Sequence, residues 1–284
     1  LNFLNKQLKI AIVGCGALGG YYCGMLVNTG FNVHFLLGQH YETVKANGLK
    51  VTSPNGDFHL KHVNAYRHPT DMGTMDYLFI GLKTIGNDQF KTLITPLVAP
   101  HTRIISAQNG LSNRSSDGTI SHLDFGHIHI GNYQNKVDGV LETFCEKLNK
   151  NQIQSKTVPC LTTERWRKLM WNIPFNGLSR LLDITVDKIM QSPPLRQRAY
   201  TMLKETDNAA AALQLSIDRA FIDTMMTYTD KMKLYYTSMH LNVKASRPPE
   251  IESILGAPIQ YARQVGFEMP ESIKVYITLK EKYL

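Results

Sequence analysis

Two rhythms of apolar residues divide the chain. In the first half, short apolar runs at residues 8–13, 32–37, 75–82 and 103–106 alternate with helix-compatible stretches. A run of four to eight apolar residues bounded by turn residues suits a strand buried on both faces. Residues 21–28 read as a helix between the first two runs, and Gly30 stands where a helix-ending glycine belongs. Residues 87–98 read as another helix, with Pro100 marking its end. Strand alternating with helix predicts a parallel, doubly wound sheet.

Near Thr162 the rhythm changes. Residues 166–190, 195–215, 217–236, 250–265 and 272–284 all carry a helical pattern, and no convincing strand interrupts them. The division expected is an α/β domain over 1–162 and a helical domain over 163–284. No internal repeat or low-complexity segment is visible.

Between the first strand and the first helix lies Gly14-Cys15-Gly16-Ala17-Leu18-Gly19, a GxGxxG pattern. Glycines cluster in many turns, so the motif alone says little; its place inside a strand–helix–strand unit gives it weight. Gly14 permits the tight turn, Gly16 lets backbone approach a pyrophosphate, and Gly19 lets helix and strand pack closely. The helix N-terminus would then offer free N–H groups to the phosphates. The fold class expected is an α/β Rossmann-type N-terminal domain followed by an all-α C-terminal domain. The other reading of the turn is a tight strand-to-helix connection without a ligand.

The end of the second strand usually chooses between NAD and NADP, through an acid for the ribose 2′-OH or an arginine for the 2′-phosphate. This chain reads Leu37-Gly38-Gln39-His40, with neither. Lack of an acid leans toward NADP (bound as NADPH) and leaves NAD open. Gln39, His40 and Lys45 could reach a phosphate or could be solvated loop residues.

Composition narrows the partners. Of 284 residues 43% are hydrophobic, and the net charge is +8, which suits anionic ligands or merely a soluble surface. The charge is scattered, without the basic block of a nucleic-acid footprint, and no stretch approaches the roughly 18 apolar residues of a membrane span. Cys15, Cys23, Cys145 and Cys160 form no CxxC pair, which fits a reducing, cytoplasmic setting. His122, His127 and His129 cluster in one segment, and His127 and His129 at i, i+2 could ligate a metal, but no further ligand of metal-site spacing is evident, so no metal is expected. The helical half could support a homodimer, although no heptad seam specifies one.

Candidate chemistry sits on the first long helix. Lys168, Asn172 and Asn176 are spaced i, i+4, i+8 and share one face. Such a stripe is either an exposed polar face or a site. Trp166, Trp171 and Pro174 around it argue for partial burial. A lysine so placed could donate a proton to a ketone oxygen and stabilise the developing alkoxide, and burial would lower its pKa toward neutrality. Glu250 follows Pro248-Pro249 and is either a helix-start acid favoured by the dipole or part of the site. Asn109 and Lys83 follow the ends of two strands, where doubly wound sheets bind ligands; a plain Asn-Gly turn and a solvent-facing lysine are the alternatives.

Longer stretches carry a resemblance. Lys9-Ile-Ala-Ile-Val-Gly-Cys-Gly-Ala-Leu-Gly-Gly20, His34-Phe-Leu-Leu37 and Tyr41-Glu-Thr-Val-Lys-Ala-Asn-Gly-Leu49 resemble the start of ketopantoate (2-dehydropantoate) reductases. So do Leu82-Lys83-Thr84, Gln108-Asn109-Gly110, the run from Trp166 to Asn176, Ser238-Met239 and Arg247-Pro-Pro-Glu250-Ile. The resemblance covers nearly the whole chain. It implies NADPH-dependent reduction of ketopantoate to pantoate in pantothenate and coenzyme A synthesis. By the same resemblance, Lys168 is the general acid and Glu250 its catalytic partner. Asn109, Asn172, Asn176, Ser238 and Glu250 hold the substrate. Lys83 and Asn109 join the glycine turn in holding the cofactor.

Three departures stand out. Gly38 replaces the family's common arginine, and Asn242 replaces a frequent aspartate. Between Gly110 and His122 the family usually carries more residues, strand segments included; either the chain is truly shortened here or a stretch is missing from the given sequence, the second being preferred. Two further readings stay open: a reductase of the same fold for another 2-oxo acid, and a non-catalytic NAD(P)-binding regulator.

Overall fold

The computed structural model describes residues 8–82, 90–106, 112–114, 120–122, 128–131, 139–150, 153–218 and 220–283. By internal contacts the chain forms two compact units, Leu1–Pro159 and Cys160–Leu284.

The first unit is built on a five-stranded sheet of β1 (Lys9–Val13), β2 (Asn32–Leu36), β5 (Asn64–Tyr66), β6 (Tyr77–Ile80) and β7 (Arg103–Ser106). Its order is β5-β2-β1-β6-β7, and every pairing is parallel. Alternate residues along each strand point to opposite faces. Ile10, Ile12, Val33, Phe35, Tyr77 and Phe79 therefore join one apolar cluster, while Ala11, Val13, Leu36, Leu78 and Ile80 join the other. Helix α1 (Ala17–Asn28) and helix α4 (Gly139–Lys150) cover the first face, with Tyr22, Cys23, Met25, Phe144 and Leu148 in its cluster. Leu97, Met72 and Met75 fill the second, with Leu93 and Ile94 of α3 (Phe90–Ile94) packed against them. This is the doubly wound α/β arrangement read from the apolar runs.

Helix α1 is apolar nearly all round because it has two roofs. One is the main sheet. The other is a smaller sheet of β3 (Leu49–Thr52), β4 (Phe58–Leu60), β8 (Ser112–Arg114) and β9 (Ile120–His122), in the order β4-β3-β9-β8. The strands of this second sheet were not expected. Two of them lie between Gly110 and His122, so the short segment there contributes an antiparallel pair, with Asn113 opposite Ser121. A further parallel pair joins β10 (Ile128–Ile130) to β11 (Ser155–Thr157). The expected helix over 87–98 reduces, in its described part, to α3 and a 3-10 turn over Thr95–Leu97.

The second unit is helical, with α5 (Leu161–Leu182), α6 (Val186–Gln191), α7 (Pro193–Ala212), α8 (Ala220–Asp230), α9 (Ser238–Lys244), α10 (Ala257–Gln264) and α11 (Pro270–Tyr283). Met170, Ile173, Phe175, Leu178, Met202, Leu203, Leu255 and Val275 are among the side chains closing its core. Two expectations are corrected. The helix expected over 166–190 is two helices, because Asp183 takes a left-handed conformation at φ 59° and ends α5. The helix expected over 217–236 stops at Asp230, and α9 forms separately beyond it. Pro174, by contrast, lies inside α5 without ending it; tertiary packing around this buried residue outweighs the hydrogen bond it cannot donate.

Candidate active site

The glycine turn begins in β1. Gly14 has φ +91°, and a Cβ there would stand 2.4 Å from the Leu82 backbone N. Only glycine meets both conditions. At Gly19 a Cβ would stand 2.7 Å from both the Gly14 carbonyl O and Ile12 Cδ1, so α1 lies against β1 at glycine distance. Gly81, just past β6, is a third member that motif reading missed: its Cβ would meet Gly14 O at 2.7 Å. The only available signal was a glycine closing an apolar strand, which marks close backbone approach.

Gly16 differs. It is exposed, and its Cβ would meet no described atom within 4 Å. It caps α1, whose first turn holds no acid, and the first bond of the helix runs from Gly20 N to Gly16 O at 2.9 Å. An open helix start without a side-chain cap suits a pyrophosphate: backbone N–H groups and the positive end of the dipole face space that a side chain would otherwise fill. Cys15, between the glycines, is buried, and Ala17 and Leu18 open α1. Lys83 and Asn109, expected beside this turn, lie outside the described residues.

In the helical unit, α5 sets out Lys168, Asn172 and Asn176 along one face, and their burial deepens in that order. Lys168 keeps exposed surface, Asn172 is half-buried, and Asn176 is 1% exposed. A buried amide must be bonded. Asn176 Oδ1 accepts from Met239 N at 3.1 Å and from Ser238 Oγ at 3.3 Å, and its Nδ2 donates to Asn172 Oδ1 at 3.2 Å. Ser238 opens α9, where the buried Thr237 side chain accepts from His240 N at the helix cap. The structure thus joins three of the expected substrate residues, Asn172, Asn176 and Ser238, in one hydrogen-bonded chain across two helices.

Lys168 and Glu250 form the charged part. Glu250 is 6% exposed and sits after the buried Pro249, at the entrance to a π-helical turn over Glu252–Gly256 that leads into α10. Protein crowds Lys168 although its side chain still meets solvent. Lost hydration pulls its ammonium pKa down to about 8, and the negative charge of Glu250 pulls the other way. A lysine in that range is mostly protonated at neutral pH and gives up its proton more readily than a free one. Asn242, where the resemblance leads one to expect an acid, is buried in α9.

The remaining expectations divide. Gly38 is exposed with open space around it, Gln39 Nε2 lies 3.1 Å from His40 Nε2, and Lys45 is exposed on α2 (Tyr41–Asn47). Among the described residues no helix is long and apolar enough to cross a membrane.

Comparison with known proteins agrees with this arrangement. Residues 10–116 match the ketopantoate reductase PanE/ApbA family, and residues 161–282 match its C-terminal domain. A 2-dehydropantoate 2-reductase of Nostoc sp. is 35% identical over 303 aligned positions, covering 97% of this chain and 95% of the relative. The alignment has more positions than the chain has residues, so the relative carries residues that this chain lacks. The crystal structure of 2-dehydropantoate 2-reductase from Geobacter metallireducens GS-15 superposes with a TM-score of 0.93 at 37% identity, over 97% of this chain and 100% of that one. D-mandelate dehydrogenase, solved with NADH and anilino(oxo)acetate, shares the fold at a TM-score of 0.86 and 18% identity, over 97% of this chain and 98% of that one. The chain belongs to the ketopantoate reductase PanE/ApbA family, a family of NAD(P)-dependent oxidoreductases.

Proposed function

We propose that this protein reduces 2-dehydropantoate to pantoate with NADPH, the step that supplies pantothenate and coenzyme A synthesis. The observation that carries the reading is the polar face of α5: a lysine with its pKa lowered to about 8, beside Glu250 and above a bonded Asn172–Asn176–Ser238 chain. That grouping is costly in a helical core unless something uses it. The 35% identity to a 2-dehydropantoate 2-reductase over nearly the whole chain points the same way.

In this reading Gly14, Cys15, Gly16, Ala17, Leu18 and Gly19 hold the pyrophosphate of the cofactor, with Lys83 and Asn109 as further contacts carried over from the resemblance. The cofactor supplies hydride to the carbonyl carbon of the 2-oxo acid. Lys168 holds the proton that the carbonyl oxygen takes up, and its charge stabilises that oxygen as it becomes an alkoxide. Glu250 keeps Lys168 protonated at working pH and orients the substrate hydroxyl. Asn172, Asn176, Ser238 and Asn109 bind the remaining oxygens of the substrate. A cytoplasmic location and a homodimer belong to the same reading; sedimentation of the purified protein checks the latter.

The test is steady-state oxidation of NADPH and of NADH with ketopantoate, beside a panel of other 2-oxo acids. Ketopantoate should give the highest kcat/KM. Higher turnover with another acid would assign a different substrate, and binding of cofactor without turnover on any of them would make the chain a sensor.

A further inference from the structure

We propose that Arg67 does the work of the missing arginine at Gly38, binding the 2′-phosphate of the cofactor and so selecting NADPH over NADH. The proposal rests on the cofactor reading above and concerns a residue that neither the motifs nor the resemblance singled out.

The argument begins with strand register. In this fold the adenosine ribose is held at the carboxyl end of β2, and a nearby arginine accommodates a 2′-phosphate. That end carries Gly38, exposed and with no described atom within 4 Å of where a Cβ would stand. The corner has room and no charge of its own. Beside it runs β5, parallel to β2, with Leu36 opposite Tyr66 and the Leu37 N–H donating to Tyr66 O at 2.9 Å. The two strands end level, which places Arg67 next to the Leu37–Gly38 step.

Local contacts then aim the side chain. Tyr41 N donates to Gly38 O at 3.1 Å, so the chain turns back at this corner and α2 begins there. The Arg67 guanidinium lies over the Tyr41 ring at 5.0 Å from its centroid, and its Nη2 donates to Glu42 Oε1 at 2.6 Å. Tyr41 and Glu42 thus hold the guanidinium at the start of α2, beside the Gly38 turn. Both members of the pair are well exposed, with 53% and 76% of their side-chain surface accessible, so the carboxylate holds Arg67 only weakly. A guanidinium has five N–H donors, and a phosphate dianion can take two of them side by side. Such a ligand outcompetes one solvated carboxylate. Gln39 and His40 lie against each other, and Lys45 stands farther along α2, so Arg67 is the cation that the strand ends themselves deliver to this corner.

The test is calorimetric titration of the full-length protein with NADPH and with NADH. Wild type, Arg67→Ala, and Arg67→Ala combined with Gly38→Arg would be compared, with thermal unfolding as a check on folding. Arg67→Ala should weaken NADPH binding by about tenfold or more and leave NADH within about twofold, since only NADPH carries the lost partner. Adding Gly38→Arg should restore much of the NADPH affinity, because open space at that position admits the new side chain. If wild type prefers NADPH and Arg67→Ala keeps the preference, or weakens both cofactors alike, the assignment of Arg67 fails while the cofactor reading stands. If wild type binds NADH as tightly as NADPH, the cofactor reading fails and this assignment with it.

Discussion

The backbone N–H of Met239 donates to Asn176 Oδ1 at 3.1 Å, and that bond orients the polar face of α5. A backbone N–H can only donate, so the Asn176 oxygen must face α9 and its NH2 must face Asn172. Asn172 then offers its oxygen to Asn176, at 3.2 Å, which fixes its own amide in turn. Amide orientation is usually assigned from such networks, and here the backbone donor removes the ambiguity. Ser238, next to Met239, is brought into the same chain.

Asn176→Ala should therefore cost stability as well as function. It leaves the buried Met239 N–H without its acceptor, a loss of about 1–3 kcal/mol. Urea unfolding followed by circular dichroism measures it. A change within about 0.5 kcal/mol, the range of ordinary surface substitutions, would mean that this amide does not hold α5 to α9.

Gly16 and Gly19 should separate folding from cofactor binding. At Gly19 a Cβ would stand 2.7 Å from the Gly14 carbonyl, so Gly19→Ala forces α1 off β1 and should destabilise by about 1–3 kcal/mol. At Gly16 there is open space, so Gly16→Ala should leave unfolding nearly unchanged and weaken NADPH binding. Thermal unfolding and calorimetric titration of both variants read the difference. Equal thermal effects in the two would contradict the division of labour.

The alkaline limb of the pH profile should report Lys168. With its pKa at about 8, the proposed proton donor is lost as pH rises through 8, so kcat/KM should fall above that pH with a single ionisation. Stability runs the other way. Between about 8 in the folded protein and about 10.4 in the unfolded chain, the unfolded state binds more protons. This lysine therefore makes stability rise with pH across that window, and the hydration its charge loses on folding opposes folding below it.

Glu250→Gln should move that limb. Glu250 raises the Lys168 pKa against the effect of lost hydration, so neutralising it should shift the kcat/KM limb to lower pH. A variant with lower activity and an unmoved limb would give Glu250 a purely steric role.

The parts of the fold that were legible in the chain, and the parts that were not, have physical reasons. The strands β1, β2 and β6 are largely buried on both faces, and continuous apolar runs follow directly from that; β7, read as another buried strand, is the sheet edge and leaves Ile104 49% exposed. The small strands β4, β8 and β9 are three residues each and too short for any period to show. Asp183 ends α5 without glycine or proline: it tolerates the left-handed conformation and pairs with Arg180 at 3.1 Å. Pro174 carries the opposite lesson, a breaker overruled by packing. In the site, the i, i+4, i+8 spacing with Trp166, Trp171 and Pro174 around it singled out Lys168, Asn172 and Asn176, and the resemblance gave them roles. The approach of Ser238, 62 residues after Asn176, depends on how α9 packs against α5 and was supplied only by resemblance. Gly81 and Arg67 owe their places to strand register, which no local pattern encodes.

The account turns on Lys168 as the proton donor, and turnover by Lys168→Ala tests it most directly. NADPH oxidation with saturating ketopantoate should fall by at least about a hundredfold relative to wild type, the scale of a lost general acid, while calorimetric NADPH affinity stays the same. Turnover that survives the substitution would contradict the account and send the search for the acid elsewhere in the site.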